Sequence, residues 1–380
     1  MSSHGHSVAR DFRPAVDREP VEPRLDREHG GDVFAWAQRV GIRAGDIVDF
    51  SASINPLGPP SLARKAFRTS YREISRYPDP YGAELKQALA SRHEMEPEEL
   101  LLGNGSTQLI YLLCLALRPR RALIVGPAFS EYANALKLAG ARVRVSPAAN
   151  DGFKFSTEEF MSAWEKDDDM VFLTTPNSLT GQLIPRAEIE KIARVALMRE
   201  KFIIVDEAFI DFVETESVKR LVRENPYLIV LRSLTKYYAL PGLRLGYLLA
   251  QAQRVKHLAD YLEPWSVNGP ALKVALACLK DMSFQCKTDY WLRRERSFLA
   301  KGLRALKGFH PYPSSANFLL VRIEHPNGDA GELRSFLLGK HLLIRVCNSS
   351  LGLGARYFRV AVRRRKDNQR LLHALREWPA

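Results

Sequence analysis

Cysteine is scarce in this 380-residue chain, and none of Cys114, Cys278, Cys286 and Cys347 stands in a C-x-x-C pair. That scatter speaks against a zinc site or a disulfide framework and suits buried thiols in a reducing compartment. Long apolar runs are missing too: none approaches the ~20 residues that a membrane span requires. Residues 1–28 are polar, hold three prolines and lack the apolar stretch of a secretion signal, so they read as a flexible extension on a cytoplasmic protein. Acidic residues are in short supply, giving a formal net charge of +13. The Lys and Arg residues are nonetheless dispersed. Only 118–121 and 363–366 are dense, and solvated faces or an anionic substrate account for them as well as nucleic acid does. There is no internal repeat and no low-complexity linker. What remains, 46% hydrophobic and 26% charged, is an ordinary globular composition, long enough for one large and one small domain.

The chain opens with an amphipathic helix carrying Val33, Phe34, Trp36, Ala37 and Val40, ended by Gly41. A strand over 47–50 leads into 51–60, where three prolines and a glycine forbid regular structure. From Ala83 onward helices alternate with buried strands at 100–102, 122–125, 142–145, 170–174, 202–205 and 227–231. Such alternation predicts an α/β fold whose large domain is a mostly parallel sheet wrapped by helices. Helices near 271–280 and 289–306 follow. Strand 318–321, helix 331–338, strands 343–346 and 357–362, and helix 368–377 then make a smaller α/β unit. The expected division is an extension at 1–28, a segment at 29–75 packing on the small domain, a large domain at 76–285 and a small domain at 286–380.

Chemistry concentrates in Ser233-Leu234-Thr235-Lys236-Tyr237-Tyr238-Ala239-Leu240-Pro241-Gly242-Leu243-Arg244-Leu245-Gly246. Lys236 sits just past a strand end, where α/β folds place their sites. The Pro241-Gly242 bend can return Arg244 toward it, lowering the amine's pKa. Two hydroxyls, a lysine and an arginine suit a phosphate beside a Schiff base, although a basic loop with capping hydroxyls has the same composition. Gly103-Asn104-Gly105-Ser106-Thr107, between a strand and a helix, offers backbone N–H groups to an anion or serves only chain reversal. Asp206 ends the most apolar strand, so its carboxylate needs a cation unless it caps a helix. Arg345 and Arg359 lie in apolar strands, where a guanidinium has an anionic partner, either a substrate or a structural carboxylate.

Ser-x-Thr-Lys followed by Arg in Gly-x-Arg-x-Gly resembles the cofactor-lysine signature of the aspartate-aminotransferase superfamily of pyridoxal-phosphate (PLP) enzymes. The resemblance implies Lys236 as the Schiff-base lysine, and Ser233, Thr235 and Arg244 with Gly105, Ser106 and Thr107 around the cofactor phosphate. It implies Asp206 at the pyridinium nitrogen, Asn177 at the ring hydroxyl and Phe129 stacked on the ring. Two positions depart from the pattern: Leu179 stands where the asparagine motif commonly has proline, and Phe209 where many aminotransferases have tyrosine.

The segments 29–31 (His-Gly-Gly), 49–58, 76–79, 206–212 and 264–268 are together similar to the L-threonine-O-3-phosphate decarboxylase family, relatives of the histidinol-phosphate aminotransferases. That likeness implies substrate contacts from His29, Gly30, Ser53, Asn55, Asn177, Arg345 and Arg359. It also implies that Tyr77 reaches the cofactor phosphate of a neighbouring subunit, hence a homodimer. The expected reaction is decarboxylation of threonine phosphate to aminopropanol phosphate for cobalamin biosynthesis, with PLP, no metal, no nucleic acid and no membrane. Transamination of the histidinol-phosphate type is the alternative. A nucleic-acid-binding regulator on the same fold is more remote, since 1–28 is too short and proline-rich for a helix-turn-helix module.

Overall fold

The computed structural model describes residues 30–146, 152–347 and 352–379; His29 and the 1–28 extension lie outside them. Seven strands form the main sheet, in the order Leu100–Asn104, Leu245–Leu249, Leu228–Ser233, Phe202–Asp206, Met170–Thr174, Arg121–Val125 and Arg142–Ser146. All neighbours run parallel except Leu245–Leu249, which is antiparallel to both strands beside it. Continuous runs such as Met-Val-Phe-Leu-Thr and Phe-Ile-Ile-Val-Asp suit this sheet because helices cover both of its faces. One face packs on a core that includes Leu85, Leu89, Ile189 and Ile192, the other on one that includes Leu109, Leu113, Tyr132 and Leu136.

The strand Leu245–Leu249 is the one that helix-strand alternation does not announce. It returns from Ser233 through a turn rather than a helix, and so enters the sheet antiparallel. The short strand Phe309–Pro311 is likewise an addition to the sequence reading. The expected strand at 343–346 is split: Leu342–Leu343 pairs in parallel with Val48–Asp49, while Arg345–Val346 joins an antiparallel sheet with Tyr357–Ala361, Phe318–Ile323 and Phe309–Pro311. The second core forms between that sheet and the helices Met282–Arg304, Ala330–Gly339 and Arg365–Arg376.

The 23-residue helix Met282–Arg304 joins the two cores. Phe284 packs in the large one, and Leu292, Leu299 and Leu303 in the small one, so the helix runs through position 285 without interruption. The stretch from residue 30 to 75 divides in the same way. Ala37 and Ile47 pack with Leu338 and Leu343, whereas Ala63 of the helix Ser61–Ser70 belongs to the large core. Among the described residues no helix is long and apolar enough to cross a membrane.

Behind the strand ends lies a buried ionic knot. Arg232 is fully buried and donates to Glu207 Oε2 at 3.0 Å and Asp211 Oδ1 at 3.1 Å, with Glu214 and Ser217 also accepting from its two terminal nitrogens. Because Glu207 follows Asp206 and Arg232 precedes Ser233, the knot ties together the two strands that lead into the candidate site. Replacing one member of such a set strands the others as uncompensated charges. Arg232→Met is therefore expected to lower unfolding free energy by about 3–5 kcal/mol, read from urea denaturation. A loss below about 1 kcal/mol would show that the knot is not a structural requirement.

Candidate active site

The site forms at the carboxyl ends of the parallel strands, and sheet register assembles it. The pairs Asn104↔Leu245 and Ser233↔Gly246 lay three strand ends side by side. Glycine is required at two points there. A Cβ on Gly105, whose φ is +78°, would lie 2.7 Å from Arg244 Nη2, and one on Gly246 would lie 2.4 Å from the Ser106 amide nitrogen. The Arg244 guanidinium thus sits at the first turn of the helix Gly105–Leu117, which receives no side-chain cap from Asn104. Ser106 and Thr107 complete that turn, whose first N–H groups and positive helix end are suited to an anion. The Ser233 and Thr235 hydroxyls lie 2.8 Å apart, and Lys236 Nζ donates to them at 3.4 and 2.7 Å respectively.

Burial lowers the Lys236 amine to about 8, and the nearby Arg244 and Arg359 charges push in the same direction while Asp206 opposes them. Asp206 is buried, which raises its carboxyl above the usual range. Two hydrogen bonds oppose that shift: Tyr132 Oη donates to Oδ2 at 2.6 Å and the Ala208 N–H donates to Oδ1 at 2.8 Å. Lysine and aspartate therefore lie within one another's field. Phe129 is half-buried at the start of the helix Ser130–Leu138 and meets the Tyr132 ring edge-on at 5.8 Å. Tyr132 itself was not singled out from sequence. Its signal was available: it stands one helical turn after Phe129, and a buried tyrosine hydroxyl needs a partner.

Arg345 and Arg359 are direct partners across an antiparallel pair, so both side chains leave the same face of the small sheet. Arg359, 4% exposed, lies over the Phe318 ring at 4.5 Å. Its Nη2 donates to the Ser51 carbonyl at 3.2 Å and its Nη1 to the Ser178 carbonyl, while Nε has no partner. No carboxylate lies within ion-pair distance of Arg359 among the described residues. Burial first, and the Arg345 charge second, hold its guanidinium well below the usual value. Gly30 stands against Ser51 and Arg345: a Cβ there would lie 2.2 Å from the Ser51 carbonyl oxygen and 3.4 Å from Arg345 Cδ.

The other expected positions divide. The buried Ser53 hydroxyl has no partner among the described residues. Asn177 Oδ1 accepts from the Leu179 and Thr180 N–H groups at 2.9 and 3.0 Å, and Nδ2 donates to the Pro127 carbonyl at 2.7 Å, which leaves one amide hydrogen to give. Asn55 is 1% exposed and has both amide hydrogens committed, to the Tyr237 carbonyl and Thr288 Oγ1. Tyr77 is 81% exposed and packs its ring on Trp265 at 4.6 Å. Phe209 lies with its ring centroid 5.9 Å from Lys236 Nζ and presents no hydroxyl.

A parallel sheet carrying a lysine, an acid and an anion cradle at its strand ends defines a class, and the chain belongs to the aminotransferase class I and II family, matched over residues 45–375. Within that class it is 41% identical to the threonine-phosphate decarboxylase of Salmonella typhimurium over 92% of this chain and 95% of that protein. Among solved structures it resembles L-threonine-O-3-phosphate decarboxylase from Porphyromonas gingivalis, with a TM-score of 0.77 and 28% identity over 87% of this chain and 98% of that one. It also resembles histidinol-phosphate aminotransferase from Clostridium acetobutylicum, with a TM-score of 0.81 and 28% identity over 86% of this chain and 97% of that one.

A lysine held near 8 when folded and near 10.5 when unfolded loses its proton first in the folded chain. The unfolded state then binds more protons between those values, so stability rises with pH across that window. In the ligand-free chain, Lys236→Met is expected to abolish this part of the slope of unfolding free energy against pH between 8 and 10.5. Superimposable slopes for the two proteins would refute the assignment.

Proposed function

We propose that the chain is a pyridoxal-5'-phosphate-dependent decarboxylase. It converts L-threonine O-3-phosphate to (R)-1-amino-2-propanol O-2-phosphate and CO₂ for cobalamin biosynthesis, in the cytoplasm, with small molecules rather than nucleic acid as its ligands. The observation that carries this reading is the pairing of Arg345 with Arg359. Like charges directly opposite on one sheet face repel, and among the described residues Arg359 has carbonyls and an aromatic face in contact, with the Asp49 charge near but outside ion-pair distance. An anionic group of the substrate supplies a counter-charge for Arg359, and threonine phosphate carries two such groups, a carboxylate and a phosphate. Arg359, the more completely buried, suits the anion nearer the lysine whose charge it senses.

The residues fit the cofactor. The first turn of the helix at Gly105, with Ser106, Thr107, Ser233, Thr235 and Arg244, would hold its phosphate. Glycine at 105 and 246 keeps that cradle open for close approach. Asp206 would accept from the ring N–H, Asn177 would give its remaining hydrogen to the ring hydroxyl, and Phe129 would lie on the ring face. Bound there, pyridoxal phosphate supplies a carbonyl for an amine and a protonated ring that draws electrons from a breaking Cα bond.

Asp206, whose two oxygens accept from Tyr132 and the Ala208 amide, would hold a proton at the ring nitrogen by a charge-assisted bond. The arginine pair, with Gly30 and Ser53 beside it, would hold the substrate's anionic groups and so orient the bonds at its Cα. Lys236, poised near pH 8, returns a proton to Cα after CO₂ leaves. The aromatic face of Phe209 beside the amine leaves that proton to Lys236 or water.

Incubated with threonine phosphate and no keto acid, the PLP-loaded protein is expected to release CO₂. Turnover only with histidinol phosphate and 2-oxoglutarate would overturn the reading in favour of transamination. Lys236→Ala should have no measurable turnover. Arg359→Met, which removes a buried charge from an ionic contact, should lose about 100-fold or more in kcat/KM.

The same reading includes a homodimer. Phe67, Tyr71, Ile74, Tyr77, Tyr81 and Trp265 are exposed, more large apolar side chains than scattered surface positions explain. Ala63 and Phe67 also line an apolar groove with Leu240, Leu243 and Val274, beside the lysine loop. A partner covering this face would bring Tyr77 toward the cofactor phosphate of the other subunit. Sedimentation equilibrium is expected to give twice the 43.0 kDa chain mass. A fully active monomer would rule this out.

A further inference from the structure

Asn55 does work that a substrate contact would not. Its Nδ2 donates to the Tyr237 carbonyl at 2.9 Å and to Thr288 Oγ1 at 2.9 Å, its Oδ1 accepts from the Leu57 N–H at 3.1 Å, and its own N–H donates to the Lys236 carbonyl at 3.1 Å. With both amide hydrogens spent and Thr288 fully buried, the side chain has no donor left for a ligand. Three distant stretches therefore meet at one amide: the irregular segment after Ser51, the lysine turn, and the helix Met282–Arg304. Tyr237 reinforces the junction by donating from Oη to Asp289 Oδ1 at 3.1 Å and to the Gln285 carbonyl at 3.4 Å.

The same short segment also reaches the anion side of the site. The Ser51 carbonyl accepts from Arg359 Nη2 at 3.2 Å, and the Ser53 carbonyl accepts from Asn317 Nδ2 at 3.0 Å. Residues 51–55 thus touch the arginine pair at one end and the lysine main chain at the other. Proline at 56 fixes φ immediately afterwards, and 51–55 carries no regular structure of its own, so its geometry depends on these contacts.

We propose that Asn55 is a positioning residue: it pins the backbone of Lys236 and Tyr237 to the helix that joins the two cores, and so sets the distance between the lysine amine and the arginine pair. This rests on the reading of Lys236 as the reactive amine, and deepens it by moving Asn55 from substrate contact to strut. Removing the amide leaves the buried Tyr237 carbonyl without its donor, and the turn must shift or admit water to satisfy it. Either change alters where Nζ sits and how dry it is.

The test uses the full chain with its cofactor dialysed away, and reads Lys236 itself. Reductive methylation of that lysine is followed against pH by mass spectrometry of its peptide, in the parent, in Asn55→Ala and in Thr288→Val. The parent midpoint is expected near 8, and in Asn55→Ala it should move by at least about half a unit toward the ordinary lysine value. Thr288→Val, which removes one acceptor without changing shape, should move it in the same direction by less. In the reloaded enzymes kcat should fall about tenfold or more in Asn55→Ala, with KM within about twofold. An unchanged methylation midpoint in a folded Asn55→Ala protein would overturn the proposal, as would a raised KM at unchanged kcat, which marks a direct substrate contact. Should Asn55→Ala fail to fold, Thr288→Val carries the same two outcomes. Methylation needs no substrate, so it stands or falls independently of whether the reaction is decarboxylation.

Discussion

Two guanidinium groups set opposite one another across a sheet, one of them dry and flanked by carbonyls, are an unfavourable arrangement that an anion relieves. The rest of the site is organised around that demand. A buried arginine with no carboxylate at ion-pair distance among the described residues costs several kcal/mol in an otherwise apolar sheet, and two carbonyls, the Phe318 ring and the Asp49 charge offset part of that cost. Cross-strand register fixes the pair, so its geometry is as rigid as the sheet. Ser51 and Ser178 then bring the substrate-side segment and the asparagine turn to the same guanidinium. On the proposed reading such a preformed pair would orient the substrate's anionic groups at little reorganisation cost.

The lysine and the acid have the complementary problem. Each is charged in water, and each is penalised by burial, Lys236 downward and Asp206 upward. Burial is the largest influence on both, and their mutual attraction offsets part of it. Arginines 244 and 359 push the lysine amine further down, while hydrogen bonds from Tyr132 and the Ala208 amide oppose the rise of the aspartate. A donor 2.6 Å from a carboxylate oxygen is a strong, charge-assisted bond, and Tyr132 is itself held by its stack on Phe172 at 4.9 Å. The acid is thus positioned by the hydrophobic core as much as by polar contacts.

Legibility in the sequence followed the range of the interaction that determines each feature. The strands at 170–174, 202–206 and 228–233 were readable because their burial on both faces writes a continuous apolar run. The lysine turn was readable because its residues are consecutive. Leu245–Leu249 was not, since an antiparallel return needs no crossover helix to advertise it. The break at Ile344, between two strands of different sheets, also depends on partners far along the chain. Arg345 and Arg359 were each recognisable as arginines in apolar strands, but their pairing is a matter of register. Asn55 was expected at the substrate from the family resemblance alone; that its amide meets Tyr237 and Thr288 depends on contacts far along the chain.

Leu179 shows how a departure from a familiar motif can serve the same end. It stands in the turn that presents Asn177 and whose Ser178 carbonyl meets Arg359, at a position where proline would stiffen the chain locally. Here the leucine is fully buried among Tyr312, Leu320, Cys347 and Leu353, all from the C-terminal part of the chain. Gly181 in the same turn is approached so closely that a Cβ would lie 2.1 Å from Ser314 Oγ, and its carbonyl accepts from the Ser315 N–H at 2.8 Å. Burying one leucine is worth about 1.5–3 kcal/mol, enough to hold a turn that lacks proline's fixed φ. Local stiffness has been exchanged for tertiary anchorage. The consequence is that the asparagine turn moves with the sheet carrying the arginines, so the two sides of the site keep their spacing through packing rather than through backbone restraint.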